Sequence, residues 1–275
     1  MIPKTIHYSW FSGDPYPDHL KACMDTWKKV LPDYEFVLWD AKRLAKCNNV
    51  FANEAVSVKK WAFAADFVRL YAVYHYGGIW LDTDVEMFKS FDSFLNDGMF
   101  IGREYYVHHD KTGLEYTMLT SHCFGAEKEH AFIGECLEYY KNRHFIRSHN
   151  ERLEQRLRYD MTIIPDLQMS LAQNYGFDNS NANNNKQVLE NGIHVYPYQY
   201  FDQPGYTSMK DVVCIHRVAQ SWNPNAKGNT SNSVTDLKKK TLGYYKMKIQ
   251  QRIAKMIQDL LIVVGIAVVK AIVLR

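Results

Sequence analysis

Residues 53–84 constrain the fold of this chain more than any other stretch. Apolar side chains recur there at helical spacing (Val56, Trp61, Phe63, Ala64, Phe67, Leu70, Tyr71, Tyr74). Two glycines, Gly77 and Gly78, follow, and the apolar run Gly78-Ile79-Trp80-Leu81 ends in Asp82-Thr83-Asp84. The periodicity predicts a helix over residues 53–76, stopped by the glycine pair. The run after it predicts a buried strand, so a helix leads directly into a sheet and the fold class is α/β.

The two carboxylates where that strand runs out are the first chemical signal. Alternate side chains of a strand share a face, so Asp82 and Asp84 are expected to converge while Thr83 points away. Two hard oxygen donors suit Mg²⁺ or Mn²⁺, and an ion held this way commonly serves a phosphate-bearing substrate. An EF-hand loop is excluded, because its sixth and twelfth positions fall on Met87 and Ser93 instead of Gly and Glu. A phosphatase with an Asp nucleophile after its first strand fits poorly, since about eighty residues of α/β pattern precede the motif. Within the helix, Asp66 and Arg69 lie three apart on one face of an otherwise apolar segment. They read either as an intrahelical ion pair or as functional charges carried toward the strand end.

The segment from Trp61 through Asp66, Arg69, Gly77 and Gly78 to Asp82 and Asp84 resembles the signature of the D-x-D sugar-transferase family. That group holds the yeast-type initiating mannosyltransferases and bacterial capsular glycosyltransferases, with the clostridial glucosylating toxins further off. The opening Ile2-Pro3-Lys4-Thr5-Ile6-His7-Tyr8-Ser9-Trp10 resembles the family's first strand, and Cys214-Ile215-His216-Arg217-Val218-Ala219-Gln220-Ser221-Trp222 its closing motif. The resemblance implies a Rossmann-like, GT-A-type nucleotide-sugar-binding domain. It implies that Asp66 and Arg69 contact the ribose or donor sugar and its phosphates, that Asp84 ligates the metal, and that Asp82 binds sugar or metal-bound water. It also places Trp10 against the base, His216 beside the ion or diphosphate, and Ser221 and Trp222 on a loop closing over the diphosphate. The toxins carry an acidic ligand near the position of His216, a departure that leaves the role of this residue open.

Taken alone, Trp10 reads as an aromatic core residue at a strand end, and His216, after Val212-Val213-Cys214-Ile215, as a satisfied histidine at a strand terminus. Trp222 precedes the turn-rich Asn223-Pro224-Asn225 and reads as part of a mobile lid, on which Lys227 could reach phosphate. Asp166 reads either as an acceptor-side residue or as the N-cap of a helix over residues 167–175. No covalent nucleophile is nominated. His108-His109-Asp110 reads as solvated side chains rather than a second metal site.

The coarse order is strand 4–10, helix 18–30, strand 34–40, the long helix, then the metal strand, the alternation of an open parallel-rich sheet whose ligands bind at strand carboxyl ends. Strands are also expected at 99–102 and 122–126, a helix at 131–142, and a flexible Asn-rich loop at 178–186. With 275 residues and 47% hydrophobic content, one catalytic domain over residues 1–236 is expected.

Residues 237–275 differ in kind. They hold nine basic residues and one acid, so the tail carries +8 while the rest of the chain sums to −5. Ile249, Ile253, Met256, Ile257, Leu260 and Leu261 share one helical side opposite Gln251, Arg252, Lys255 and Asp259, and residues 260–269 are apolar all round. Ten residues of helix span roughly 15 Å, about half a bilayer core, which fits an interfacial C-terminal helix better than a spanning one. Packing of this helix on the body or in an oligomer is the alternative.

The expected partners are a nucleotide sugar, a glycan or polyprenyl-linked acceptor and a membrane surface, with no nucleic acid. The five cysteines show no metal or redox spacing, and the first strand begins at residue two, which points to a peripheral protein on the cytoplasmic face. By the family resemblance the donor is uridine diphosphate galactose or glucose, and transfer retains the anomeric configuration. A metal-dependent phosphohydrolase and a noncatalytic carbohydrate-binding protein are the rival functions. Deleting the residues after Leu237 should release the protein from the membrane fraction of lysed cells, and unchanged partitioning refutes the anchor.

Overall fold

In the computed structural model, which describes residues 1–180, 184–202 and 209–217, β1 (Thr5–Ser9) leads through α1 (Asp18–Val30) to β2 (Glu35–Trp39). Short α2 (Ala41–Ala45) and α3 (Val50–Ser57) precede α4 (Trp61–Tyr76), which turns at Gly77 into β3 (Gly78–Leu81) and then β4 (Val85–Met87). Next come β5 (Met99–Arg103), a small hairpin of β6 (His108–His109) and β7 (Glu115–Tyr116), and β8 (Leu119–Ala126). The described remainder is α5 (Ala131–Glu138), α6 (Gln155–Arg158), α7 (Ile164–Asn174), β9 (Gln187–Val188), β10 (Ile193–Tyr196), α8 (Tyr198–Phe201) and β11 (Cys214–His216).

The seven-stranded sheet runs β2-β1-β3-β8-β5-β10-β9. β2, β1 and β3 are parallel, as are β5 and β10, whereas β8 is antiparallel to both of its neighbours and β9 to β10. The expected α/β class is therefore present, but the sheet is evenly mixed instead of parallel-rich. Its centre is β8, which sequence pattern alone could not orient.

Each strand divides its side chains between two cores. Trp80, Met99, Ile101 and Phe124 face the layer of α3, α4, α5 and α7, while Ile79, Leu81, Phe100 and Cys123 face the layer that holds Trp27 and Phe201. Burial on both faces explains why β3 reads as an unbroken apolar run.

Two local corrections matter for the site. The helix expected over 53–76 is two helices, because the chain breaks at Lys59, which adopts φ 58°. Lys60 N–H donates to Ala55 O and Lys59 N–H to Val56 O, the paired bonds of a Schellman C-cap with lysine in the place usually held by glycine. The helix expected at 131–142 ends at Glu138, and residue 142 again takes a positive φ of 57°. Gly77 does end α4, at φ 66°, and Gly78 at φ 104° starts β3 where an added Cβ would meet Thr5 O at 2.6 Å.

His7, on β1, supports this junction from behind. In the neutral form its Nε2–H donates to Gly77 O at 2.9 Å, and its Nδ1 accepts from Trp39 Nε1–H at 3.3 Å. Burial lowers its pKa to about 4, against the Gly77 bond and with help from Arg43. Between pH 4 and 6.5 the unfolded chain therefore binds a proton that the folded chain refuses, so stability falls as pH drops through that window. The loss should approach about 3 kcal/mol at pH 4, read from urea midpoints at pH 7, 5.5 and 4.5. A His7→Gln variant should show a shallower pH slope, and an unchanged slope would exclude His7 as the cause.

Candidate functional site

The Asp82-Thr83-Asp84 segment is a tight turn, not the end of a strand. β3 stops at Leu81, Val85 N–H donates to Asp82 O at 3.0 Å, and β4 begins at Val85. Asp82 keeps the strand's alternation, since Trp80 two residues earlier donates its Nε1–H to Asp82 Oδ1 at 2.7 Å. Asp84 reaches the site through the turn. The carboxylates converge as expected, for a different reason from the one that strand periodicity gives.

Arg69 ties α4 to this turn. Its Nη2 lies 3.1 Å from Asp66 Oδ1 and 3.5 Å from Asp82 Oδ1, and its Nη1 donates to Ser121 O at 2.5 Å. Its guanidinium also sits 5.5 Å from the centre of the Trp80 ring. Asp66 and Arg69 are both buried, so the intrahelical pair and the link to the strand end are both present. Burial pushes the Asp66 carboxyl up to about 7, with Arg69 pulling it down and Asp82 pushing it up.

His216 arrives from far along the chain. β11 pairs antiparallel with β4 so that His216 lies opposite Val85, and the Arg217 N–H donates to Asp84 O at 2.9 Å. This brings His216 Nε2 within 3.3 Å of Asp84 Oδ2. Donor atoms of Asp82, Asp84 and His216 all lie within 4.8 Å of one another. Burial works against a charge on His216, but Asp84, Asp202 and Asp82 outweigh it and hold its pKa at about 9.

Two residues at this centre escaped the sequence reading. His122 on β8 stacks on His216 with ring centroids 4.0 Å apart, and its Nε2 is 2.8 Å from Phe201 O. Asp202, just after α8, has a carboxylate oxygen within 4.8 Å of ring nitrogens of both histidines and accepts from Tyr105 N–H at 2.7 Å. Burial pushes Asp202 up to about 6, against the pull of His216. The usable signal was a histidine inside the apolar strand run ending Cys123-Phe124; Asp202 had none.

The other expected residues are dispersed. Trp10 follows β1 at the same carboxyl edge of the sheet as the Asp82 turn, half-buried, with its Nε1–H on Asp14 O at 2.6 Å and its ring 4.8 Å from Tyr16. Asp166 is not an N-cap; Ile163 holds that position, and Asp166 lies exposed in the first turn of α7. Arg103, fully buried, donates to Asp178 O and Ser180 O, so the described start of the Asn-rich stretch is held to the body. Ser221, Trp222, Lys227 and the tail from residue 237 lie outside the described residues. Among the described residues no helix is long and apolar enough to cross a membrane.

Residues 17–101 match the sequence profile of the family described as the glycosyltransferase sugar-binding region containing a DXD motif. The match covers under a third of the chain. An inositol phosphoceramide mannosyltransferase of Schizosaccharomyces pombe is 32% identical over 102 residues, 34% of this chain and 28% of the relative. A glycosyltransferase of Acanthamoeba polyphaga mimivirus, itself uncharacterized, is 31% identical over 106 residues, 36% of this chain and 42% of the relative. The chain thus matches well under half the length of either. Among solved structures, the PaToxG glycosyltransferase aligns with a TM-score of 0.41 at 17% identity, covering 63% of this chain and 69% of that one.

The Asp66–Arg69–Asp82 bridge gives an unequal mutational expectation. A guanidinium cannot shed its charge, whereas a buried carboxyl can take up a proton. Asp66→Leu should therefore cost about 3–5 kcal/mol of unfolding free energy, more than Arg69→Leu. Denaturant titration of both variants and of the double variant checks this, and a larger loss for Arg69→Leu would refute the ordering.

Proposed function

We propose that this protein is a divalent-metal-dependent glycosyltransferase of GT-A type that moves a hexose from a nucleotide sugar to a glycan or lipid-linked acceptor. The reading is carried by one observation: two carboxylates of a DXD sugar-binding region converge with the imidazole of the distant His216 at the carboxyl end of β3, beside a buried arginine.

The donor set of Asp82, Asp84 and His216 fits Mn²⁺ or Mg²⁺, with the imidazole favouring Mn²⁺. When bound, such an ion supplies Lewis-acid stabilisation to the diphosphate as the anomeric bond breaks. The protein's own part is to present the ligands. Arg69 fixes Asp82 from behind and adds positive charge near the leaving group, while Asp66 holds Arg69 and faces the ribose or donor sugar. Trp10 supplies an aromatic wall for the base at the same sheet edge. Ser221 and Trp222 are assigned to the diphosphate by the family resemblance alone.

The donor proposed is a uridine diphosphate hexose, galactose or glucose, transferred with retention in surface polysaccharide synthesis. The yeast relative is named for mannosyl transfer, so a mannose nucleotide belongs in the same donor panel. The setting proposed is the cytoplasmic face of a membrane, with the basic tail on lipid.

Purified protein incubated with a panel of nucleotide sugars should hydrolyse one donor slowly with Mn²⁺ and lose this activity with EDTA. Asp84→Asn should reduce it by more than the about 10–100-fold that loss of a supporting group costs at a metal site. Turnover of phosphomonoesters in place of every sugar donor would establish the phosphohydrolase instead. Donor turnover indifferent to both EDTA and Asp84→Asn would refute the metal role.

A further inference from the structure

A second concave site lies on the outer side of the sheet edge, between α2 and the C-terminal half of α4. Its cavity measures about 560 Å³, within the range of small-molecule sites. Lys42, Arg43 and Lys46 stand on one side of it, and Trp39, Tyr71 and Tyr76 form aromatic walls. None of Asp66, Arg69, Asp82, Asp84 and His216 lines it, so this cavity is separate from the acidic turn.

The charges around it are one-sided. Asp40 is the sole acid of the lining, and its Oδ1 is already used, accepting from Arg43 N–H at 2.8 Å as the N-cap of α2. No carboxylate among the described residues pairs with Lys42, Arg43 or Lys46. Exposed lysines alone would be ordinary solvated charges, and Lys42 and Lys46 are exposed. Arg43 differs. It is half-buried, with its guanidinium carbon 4.2 Å from the Trp39 ring centre and 5.9 Å from that of Tyr76. Stacking fixes the plane of the guanidinium while its N–H edge lacks a carboxylate, a preorganised fork of the kind that receives phosphate oxygens. The lysines at i−1 and i+3 repel it and each other unless an anion sits among them.

The walls complete the selection. Tyr76 is 51% exposed at the rim with Tyr71 half-buried behind it, so the cavity offers chiefly the Tyr76 ring to an uncharged ring or chain beside the anion. We propose that this cavity binds a phosphate-bearing ligand, its phosphate received by Arg43 with Lys42 and Lys46 and its uncharged part laid chiefly against Tyr76. Soluble sugar phosphates and lipid headgroups share this chemistry.

The full-length protein is titrated with glucose 6-phosphate by calorimetry and, separately, floated with phosphatidylcholine vesicles with or without phosphatidylinositol. Saturable binding of the soluble probe assigns the site to soluble phosphates. Flotation that needs phosphatidylinositol, without binding of the soluble probe, assigns it to a headgroup. In either arm Arg43→Gln should weaken binding tenfold or more, and Lys42→Gln with Lys46→Gln, which leaves the Trp39 stack in place, should weaken it by a smaller factor. Asp84→Asn should leave it unchanged. No binding in either arm, binding indifferent to all three basic residues, or binding abolished by Asp84→Asn would each overturn the assignment, the last by transferring the ligand to the acidic turn.

Discussion

A guanidinium held between two carboxylates is the constraint on which the rest of this site depends. Arg69 belongs to α4 and Asp82 to the turn after β3, and the helix and strand that carry them are joined by only Gly77. Such a short connection forces α4 back across the sheet, so its first turns lie over the carboxyl end of β3, where the strand has run out of ladder partners. Asp66 and Arg69 are buried there, and Asp82 is partly open to solvent. Removing Arg69 leaves both acids without this counter-ion, whereas removing Asp66 leaves the guanidinium only the more distant Asp82.

The glycine pair and the ion bridge are thus two ends of one device. Gly78 lets the backbone pass within contact distance of Thr5 O, which sets β3 beside β1 in parallel register, and that register brings Trp10 to the same edge as Asp82. His7 reads the junction from the neighbouring strand and must stay neutral to do so. Both ends are carried by one helix of 16 residues.

Legibility in the sequence followed the range of the forces involved. The α/β class, α1, the existence of α4 and β3, and the acidic turn were readable because helical periodicity, glycine stops and apolar runs are local. The break at Lys59 was not, since a lysine in left-handed conformation is fixed by the two bonds of its cap and not by its own preference. The antiparallel β8, and with it His122, was hidden for another reason: strand direction is decided by the whole sheet. Asp202 was the least accessible, a single acid whose meaning arises only when β11 is laid beside β4.

The pairing of the two histidines decides where charge can reside at this centre. Rings stacked at 4.0 Å repel each other if both are protonated, and His122, buried with its Nε2 on Phe201 O, is held well below its ordinary pKa by burial and by His216. The proton therefore falls to His216, where Asp84, Asp202 and Asp82 favour it. A cation entering between Asp82 and Asp84 would compete with an imidazolium already paired to Asp84, and it would gain the imidazole as a ligand only by expelling the proton. The acids that would hold a metal under the proposed function are the same groups that make His216 hard to deprotonate, so recruiting its imidazole as a ligand would release a proton.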